Sequence, residues 1–116
     1  MALKNVQGDT ALILSAQGAA TVTSGAVAPA GMAANVMLLV HVSAVSGSPT
    51  LNASLEESND GTTWTAITGS SITQISGTGN GSANAVTSKA YVRVTATVAG
   101  TTPSVTGRAV LLIIPN

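Results

Sequence analysis

The sequence predicts an all-β chain, an antiparallel β-sandwich or jelly-roll-like fold of about eight to nine strands. Gly, Thr, Ser and Val dominate it, and helix signals are scarce. Apolar residues repeat with a period of two or in short solid runs, and turn residues recur about every eight to twelve positions, the spacing of a sandwich or barrel. At 116 residues the chain has the size of one domain and buries roughly two thirds of its unfolded surface around a single core. That domain is expected over residues 10–116.

Strands are expected first at 10–16 (TALILSA) and 19–24 (AATVTS). Between 25 and 34 (GAVAPAGMAA) the alanines could close one helical turn, whereas Pro29 and Gly31 argue for a loop. Residues 35–45 (NVMLLVHVSAV) form the next strand, followed by 50–57 (TLNASLEE), 63–67 (TWTAI) and 72–76 (ITQIS). GTGNGSAN at 77–84 reads as a hairpin tip or a mobile surface loop, because Gly and Asn accept the backbone conformations of tight turns; such a loop could also act as a contact arm. Strands resume at 83–87 (ANAVT) and 89–98 (KAYVRVTATV). In the latter, Ala90, Val92, Val94, Ala96 and Val98 point one way and Lys89, Tyr91, Arg93, Thr95 and Thr97 the other, which leaves one face wet. The last strand, 104–114 (SVTGRAVLLII), is apolar on both faces, since Val110, Leu112 and Ile114 alternate with Ala109, Leu111 and Ile113. Such a strand is either central and covered twice, or its outer face meets another subunit.

An internal echo supports a hairpin reading. VHVSAVSGSPTLNASLEE (40–57) and VRVTATVAGTTPSVTGRAVL (92–111) share an alternating strand, a Gly, a Ser/Thr spacer, a Pro and a second strand. Pro49 and Pro103 sit at the mouth of the returning strand, where a missing N–H does no harm. Gly47 and Gly100 supply the backbone freedom of the turn. Two matching hairpins suit a sandwich of two similar sheets and are too few for a solenoid or propeller.

Composition narrows the function. Only 7% of residues are charged and 2% aromatic, against about 25% charged in an ordinary soluble domain. Lys4, Lys89, Arg93 and Arg108 balance Asp9, Glu56, Glu57 and Asp60, so nothing in the charge favours nucleic acid or anionic lipid. A surface with so few charges has little colloidal repulsion and suits a protein that lives packed in an assembly. There is no Cys, which removes disulfides, thiolate chemistry and Cys-based zinc sites. The aliphatic runs VMLLV (36–40) and VLLII (110–114) are far shorter than a membrane-spanning helix, and Ala11 to Leu14 is too short for a signal-peptide core. The chain reads as soluble and made in the cytoplasm.

The most polar stretch is SLEESNDGTTWT (54–65), with three acids beside the only tryptophan. A calcium loop needs carboxylates or amides at alternate positions and a bidentate Glu further on, and Glu56, Glu57 and Asp60 lack that spacing. Glu56 and Glu57 are adjacent in a strand and face opposite ways. Asn59, Asp60 and Gly61 are instead turn residues, with Trp64 on the return strand packing over the turn or beside a strand neighbour. No metal and no cofactor is expected. His41, the only histidine, shares its side of an apolar strand with Met37, Leu39, Ser43 and Val45 and reads as a hydrogen-bonded structural residue rather than a general base. Neither a G-x-S-x-G elbow nor a phosphate loop is present, so no enzyme is expected. Arg93 could pair with Glu57 if their strands are neighbours.

LEESNDGTTWTAI, followed by YVRVTATVAGTTPSVTGRAVLL, resembles the small all-β virion proteins of tailed bacteriophages, particularly head decoration (cement) proteins and related tail-associated modules. The pattern is an L-x-E-S-x-D-G-x-x-W turn and a later Y-V-R-V strand leading to G-x-x-P, within residues 36–114. The resemblance implies a β-sandwich subunit on the outside of an icosahedral head, often a trimer, binding the major capsid protein and other virion subunits against internal DNA pressure. Residues 1–9 (MALKNVQGD) would then serve as an arm. Leu3 and Val6 in that arm, with Leu112 and Ile114 on the last strand, are the candidate interface. The alternative is a tail, baseplate or carbohydrate-binding module using Trp64 and Tyr91, against which the scarcity of aromatics counts.

Overall fold

The computed structural model of the chain describes residues 7–25 and 34–115. The described residues form eight strands: β1 (Gln7–Gln17), β2 (Ala20–Thr23), β3 (Ala34–Ser46), β4 (Thr50–Ser58), β5 (Thr65–Ala66), β6 (Gly79–Thr87), β7 (Tyr91–Ala99) and β8 (Ser104–Pro115). No helix occurs among the described residues. The strands form two four-stranded antiparallel sheets, here sheet A in the order β1-β8-β3-β6 and sheet B in the order β2-β7-β4-β5. β1 begins at Gln7 and so takes in residues 7–9 of the expected arm. Leu3 and Val6, and residues 26–33 of the ambiguous alanine-rich segment, lie outside the described residues.

Alternation sets the core. Val36, Leu38, Val40 and Val42 of β3 and Val105, Ala109, Leu111 and Ile113 of β8 turn inward from sheet A. Leu51, Ala53 and Leu55 of β4 and Val92, Val94, Ala96 and Val98 of β7 meet them from sheet B. The core cluster contains no aromatic side chain, so β-branched and leucine packing supplies its stability, about 1.5–3 kcal/mol for each large side chain fully buried.

The echoed segments are not hairpins. β3 and β4 lie in different sheets, as do β7 and β8, so each Gly-Pro turn carries the chain across the sandwich. The partners are instead β3 with β8 and β4 with β7, which brings the two turns side by side. A Cβ on Gly47 would stand 2.1 Å from the Thr102 carbonyl oxygen, and one on Gly100 would stand 2.9 Å from that of Ser48. Gly47 has φ of 74°, and Ser48 and Thr102, each preceding a proline, also have positive φ, 53° and 45°. The echo therefore marks two mutually packed corners. A glycine and a proline bracket a bend equally well whether the chain returns in its own sheet or leaves it.

Two further expectations change. Residues 72–76 are not a named strand. The chain from Ile67 to Ile75 runs irregularly along the free edge of β4, where Ile67 N–H donates to Leu55 O, Ile72 N–H to Ala53 O, and Leu51 and Ile75 exchange both bonds. Ser70, fully buried, completes this seam: its hydroxyl accepts the Leu55 amide at 3.0 Å and lies 2.7 Å from the Ile67 carbonyl oxygen. Ser70→Ala strands the Leu55 N–H and is expected to cost about 1–3 kcal/mol, measured by denaturant unfolding. Much of the expected 77–84 loop is strand, since β6 begins at Gly79. As an edge strand pairing only with β3, β6 tolerates Gly and Asn because one ladder and a wet outer row suffice.

The pairs β1·β8, β2·β7, β3·β6 and β4·β5 are those of one long antiparallel ribbon. Its fold point is the loop between β4 and β5, the one connection between successive strands that stays within a sheet.

Candidate functional site

The ribbon's fold point is the polar stretch singled out in the sequence. Ser58, buried at the end of β4, donates its hydroxyl to Asp60 Oδ1 at 2.9 Å and accepts the amides of Asp60 and Gly61 at 3.2 and 2.9 Å. Asp60 Oδ1 also accepts the amides of Thr62 and Thr63 at 2.8 and 2.9 Å. Asn59 is exposed at the tip. Gly61 takes φ of 76°, and a Cβ there would touch the Tyr91 ring at 3.7 Å. The Asp60 carboxylate is thus occupied by the turn's own donors. They hold it below the usual aspartate range, the Thr63 amide foremost, then the Thr62 amide and the Ser58 hydroxyl.

Because the folded value is depressed, the turn's stabilisation is complete above the ordinary aspartate pKa of about 3.9 and is lost as pH falls through the lower folded value. Ser58→Ala removes one donor and is expected to raise the Asp60 midpoint. A carboxyl NMR titration of both proteins reads this directly; an unmoved midpoint would count against the hydroxyl's part.

Trp64 is half-buried, and the Arg93 guanidinium lies 4.3 Å from its ring centroid. Arg93 pairs with Glu56, not Glu57, at 2.8 Å, because the β4–β7 register sets Glu56 opposite Arg93 on the outward face. Glu57 points the other way and accepts the buried Thr87 hydroxyl at 2.8 Å, tying β4 of sheet B to β6 of sheet A. Strand parity therefore separates the two glutamates into two unrelated structural contacts. Among the described residues no group of three or more His, Asp or Glu could hold a metal ion.

His41 is exposed on the outward face of sheet A, where its Nδ1 lies 2.5 Å from Asn80 Oδ1. On β8, Arg108 is its register partner. Beyond this polar row the face turns apolar. Leu39 pairs with Val110, Met37 with Leu112, and Asn35 with both Ile114 and Val86. Ile13, Leu39, Val86 and Ile114 are 72%, 36%, 60% and 36% exposed, values that mark a large-side-chain surface open to solvent on a sheet's outer side. Leu112 is half-buried by its neighbours on the same face.

The outward face of sheet B is different. Thr21 and Thr23 on β2, Asn52 and Ser54 on β4, and Thr95 and Thr97 on β7 cover it, and the Thr21 and Thr97 hydroxyls meet at 3.0 Å. One outer face of the sandwich is thus polar, whereas the other sets an apolar patch beside a polar row. The sequence reading found Leu112 and Ile114 but missed Ile13, Leu39 and Val86. Met37 and Leu39 carried the same signal as Leu112, since VMLLV, like VLLII, leaves no polar side; Val86 sits in a Gly- and Asn-rich segment with no such mark.

Solved structures share this fold. PBSX exported protein XepA matches with a TM-score of 0.74 at 11% identity, over 95% of this chain but only 37% of that one. SPBc2 prophage-derived protein YomS matches at 0.55 and 12% identity, over 97% of this chain and 96% of that one. A chain of infectious bursal disease virus strain Gx matches at 0.58 and 13% identity, over 98% of this chain and 33% of that one. At such identities the likeness is one of fold. No protein-family model and no curated protein sequence matches the chain.

Proposed function

We propose that the protein is a non-enzymatic structural subunit of a tailed-phage virion, of the head decoration or cement type, and that the rolled ribbon is a jelly roll serving as a building block. The observation that carries this reading is the apolar outward face of sheet A beside the hydroxyl-covered face of sheet B. An isolated sandwich gains nothing from exposing Ile13, Leu39, Val86 and Ile114, whereas a subunit set among neighbours buries them. Fold likeness to two prophage proteins and a viral chain supports the setting. The major capsid protein and copies of the chain itself are the partners on this reading, and the head surface is its location. A glycan-binding role is less well served, since the Arg93 guanidinium already occupies one face of the Trp64 ring.

The test adds purified protein back to capsids stripped of it and follows co-sedimentation. Wild type is expected to rebind, Glu56→Ala to rebind nearly as well, and Leu112→Asp to lose at least tenfold in affinity. A stable monomer with no capsid affinity and measurable binding to a glycan would overturn the reading.

A further inference from the structure

We infer that the apolar outward face of sheet A is covered by a second copy of this chain. The inference deepens the reading of the protein as an assembly subunit by naming the neighbour that buries this face. Three shallow depressions of about 440, 450 and 380 Å³ follow one another along it, from Ile13 and Thr106, past His41 and Arg108, to Val86 and Ile114. The two larger of these depressions share His41 and Arg108.

Size, charge and rim chemistry choose the occupant. Four strands about 4.8 Å apart, with outward residues over about 27 Å, make a face on the order of 500 Å². Two such surfaces in contact bury about 1,000 Å², the lower bound for a specific protein interface. Among the side chains described on this face, Arg108 is the one that carries a charge. A partner rich in charge would find Arg108 to pair with among these side chains and would desolvate the rest of its charge against aliphatic ones. A copy of this chain, with four basic and four acidic residues in 116, brings almost no charge to desolvate. Along the β6 rim stand Asn80, Ser82 and Asn84, whose amides and hydroxyl both donate and accept, so like can meet like there without a mismatched donor.

The experiment measures mass by light scattering from micromolar to about millimolar protein. The mass is expected to rise with concentration from 11.3 kDa towards twice that value. Twice the monomer reports face-to-face packing about a two-fold and supports the inference, whereas a three-fold mass reports a ring built from two different surfaces and overturns it. Leu39→Lys and Val86→Lys should each raise the concentration for half-association at least tenfold, whereas Asn52→Lys and Thr97→Lys on sheet B should leave it unchanged. Circular dichroism checks that each variant is folded. Should the lysine variants not fold, a solvent-sensitive dye on Val86→Cys, in a chain with no other cysteine, should shift to the blue with rising concentration while the same dye on Asn52→Cys does not.

A wild type that stays monomeric at millimolar concentration overturns the inference, as does association weakened by the sheet B variants and not by those on sheet A. If that monomer still rebinds stripped capsids, the virion reading stands and only the homotypic contact fails. If the chain self-associates but never binds capsids, the reverse holds.

Discussion

Gly47→Ala is expected to destabilise the protein by about 3 kcal/mol, lowering the melting temperature by roughly 10 °C. Two costs combine. Gly47 has φ of 74°, which costs an L-residue about 1–2 kcal/mol. The new methyl would also stand 2.1 Å from the Thr102 carbonyl oxygen and 2.9 Å from its carbon, both backbone atoms of the opposing corner. Neither corner can yield alone, because β3 is paired to β8 and β4 to β7 immediately behind them. Gly77→Ala is the control. Its Cβ meets nothing within 4 Å, so it should stay within about 0.5 kcal/mol of wild type. Equal melting temperatures for the two variants would show that the corners are not locked together.

Leu55→Ala should cost about 3–4 kcal/mol in denaturant unfolding, within the range of large-to-small substitutions at fully buried sites. Leu55 is 0% exposed and points from β4 towards sheet A, in the middle of a core made only of aliphatic groups. Such a core has no large planar ring that could tilt into the vacated space, and its β-branched neighbours have few alternative rotamers. The backbone at Leu55 stays tied to Ser70 and Ile67 in the variant, so the loss measures packing rather than the seam. By contrast Glu56→Ala, one residue on but facing outward, removes only a surface pair with Arg93 and should cost about 1 kcal/mol or less.

How much of this was legible follows from what alternation encodes. A period of two tells which side of a strand is buried, and for 89–98 it separated Val92 and Val94, fully buried, from Arg93 on the outward face. It does not tell which strand lies alongside. That is why two corners look like two hairpins; nor does it give register, so that with β4 and β7 neighbours as the Arg93–Glu57 expectation requires, it is Glu56 that stands opposite Arg93. Strand 79–87 was obscured because an edge strand needs neither a solid apolar run nor β-branched residues along its length. The seam from Ile67 to Ile75 was obscured for the opposite reason: Ile72 and Ile75 carry strand-like apolarity, but Ser70 and Gly69, with φ of 82°, bend the chain out of a regular ladder.

The strand order has a consequence for synthesis. β1 and β3 never touch as neighbours in sheet A; β8 lies between them, and it follows every other described strand in the chain. Until the ribosome has released β8, the inward-facing Val36, Leu38 and Val40 of β3 have only β6 beside them, and β1 has no partner in its sheet. Sheet A therefore closes after translation of its last strand rather than growing with the chain. The nascent protein passes through a stage at which the aliphatic run of β3 lacks its β8 neighbour, the kind of exposed apolar strand edge that favours aggregation.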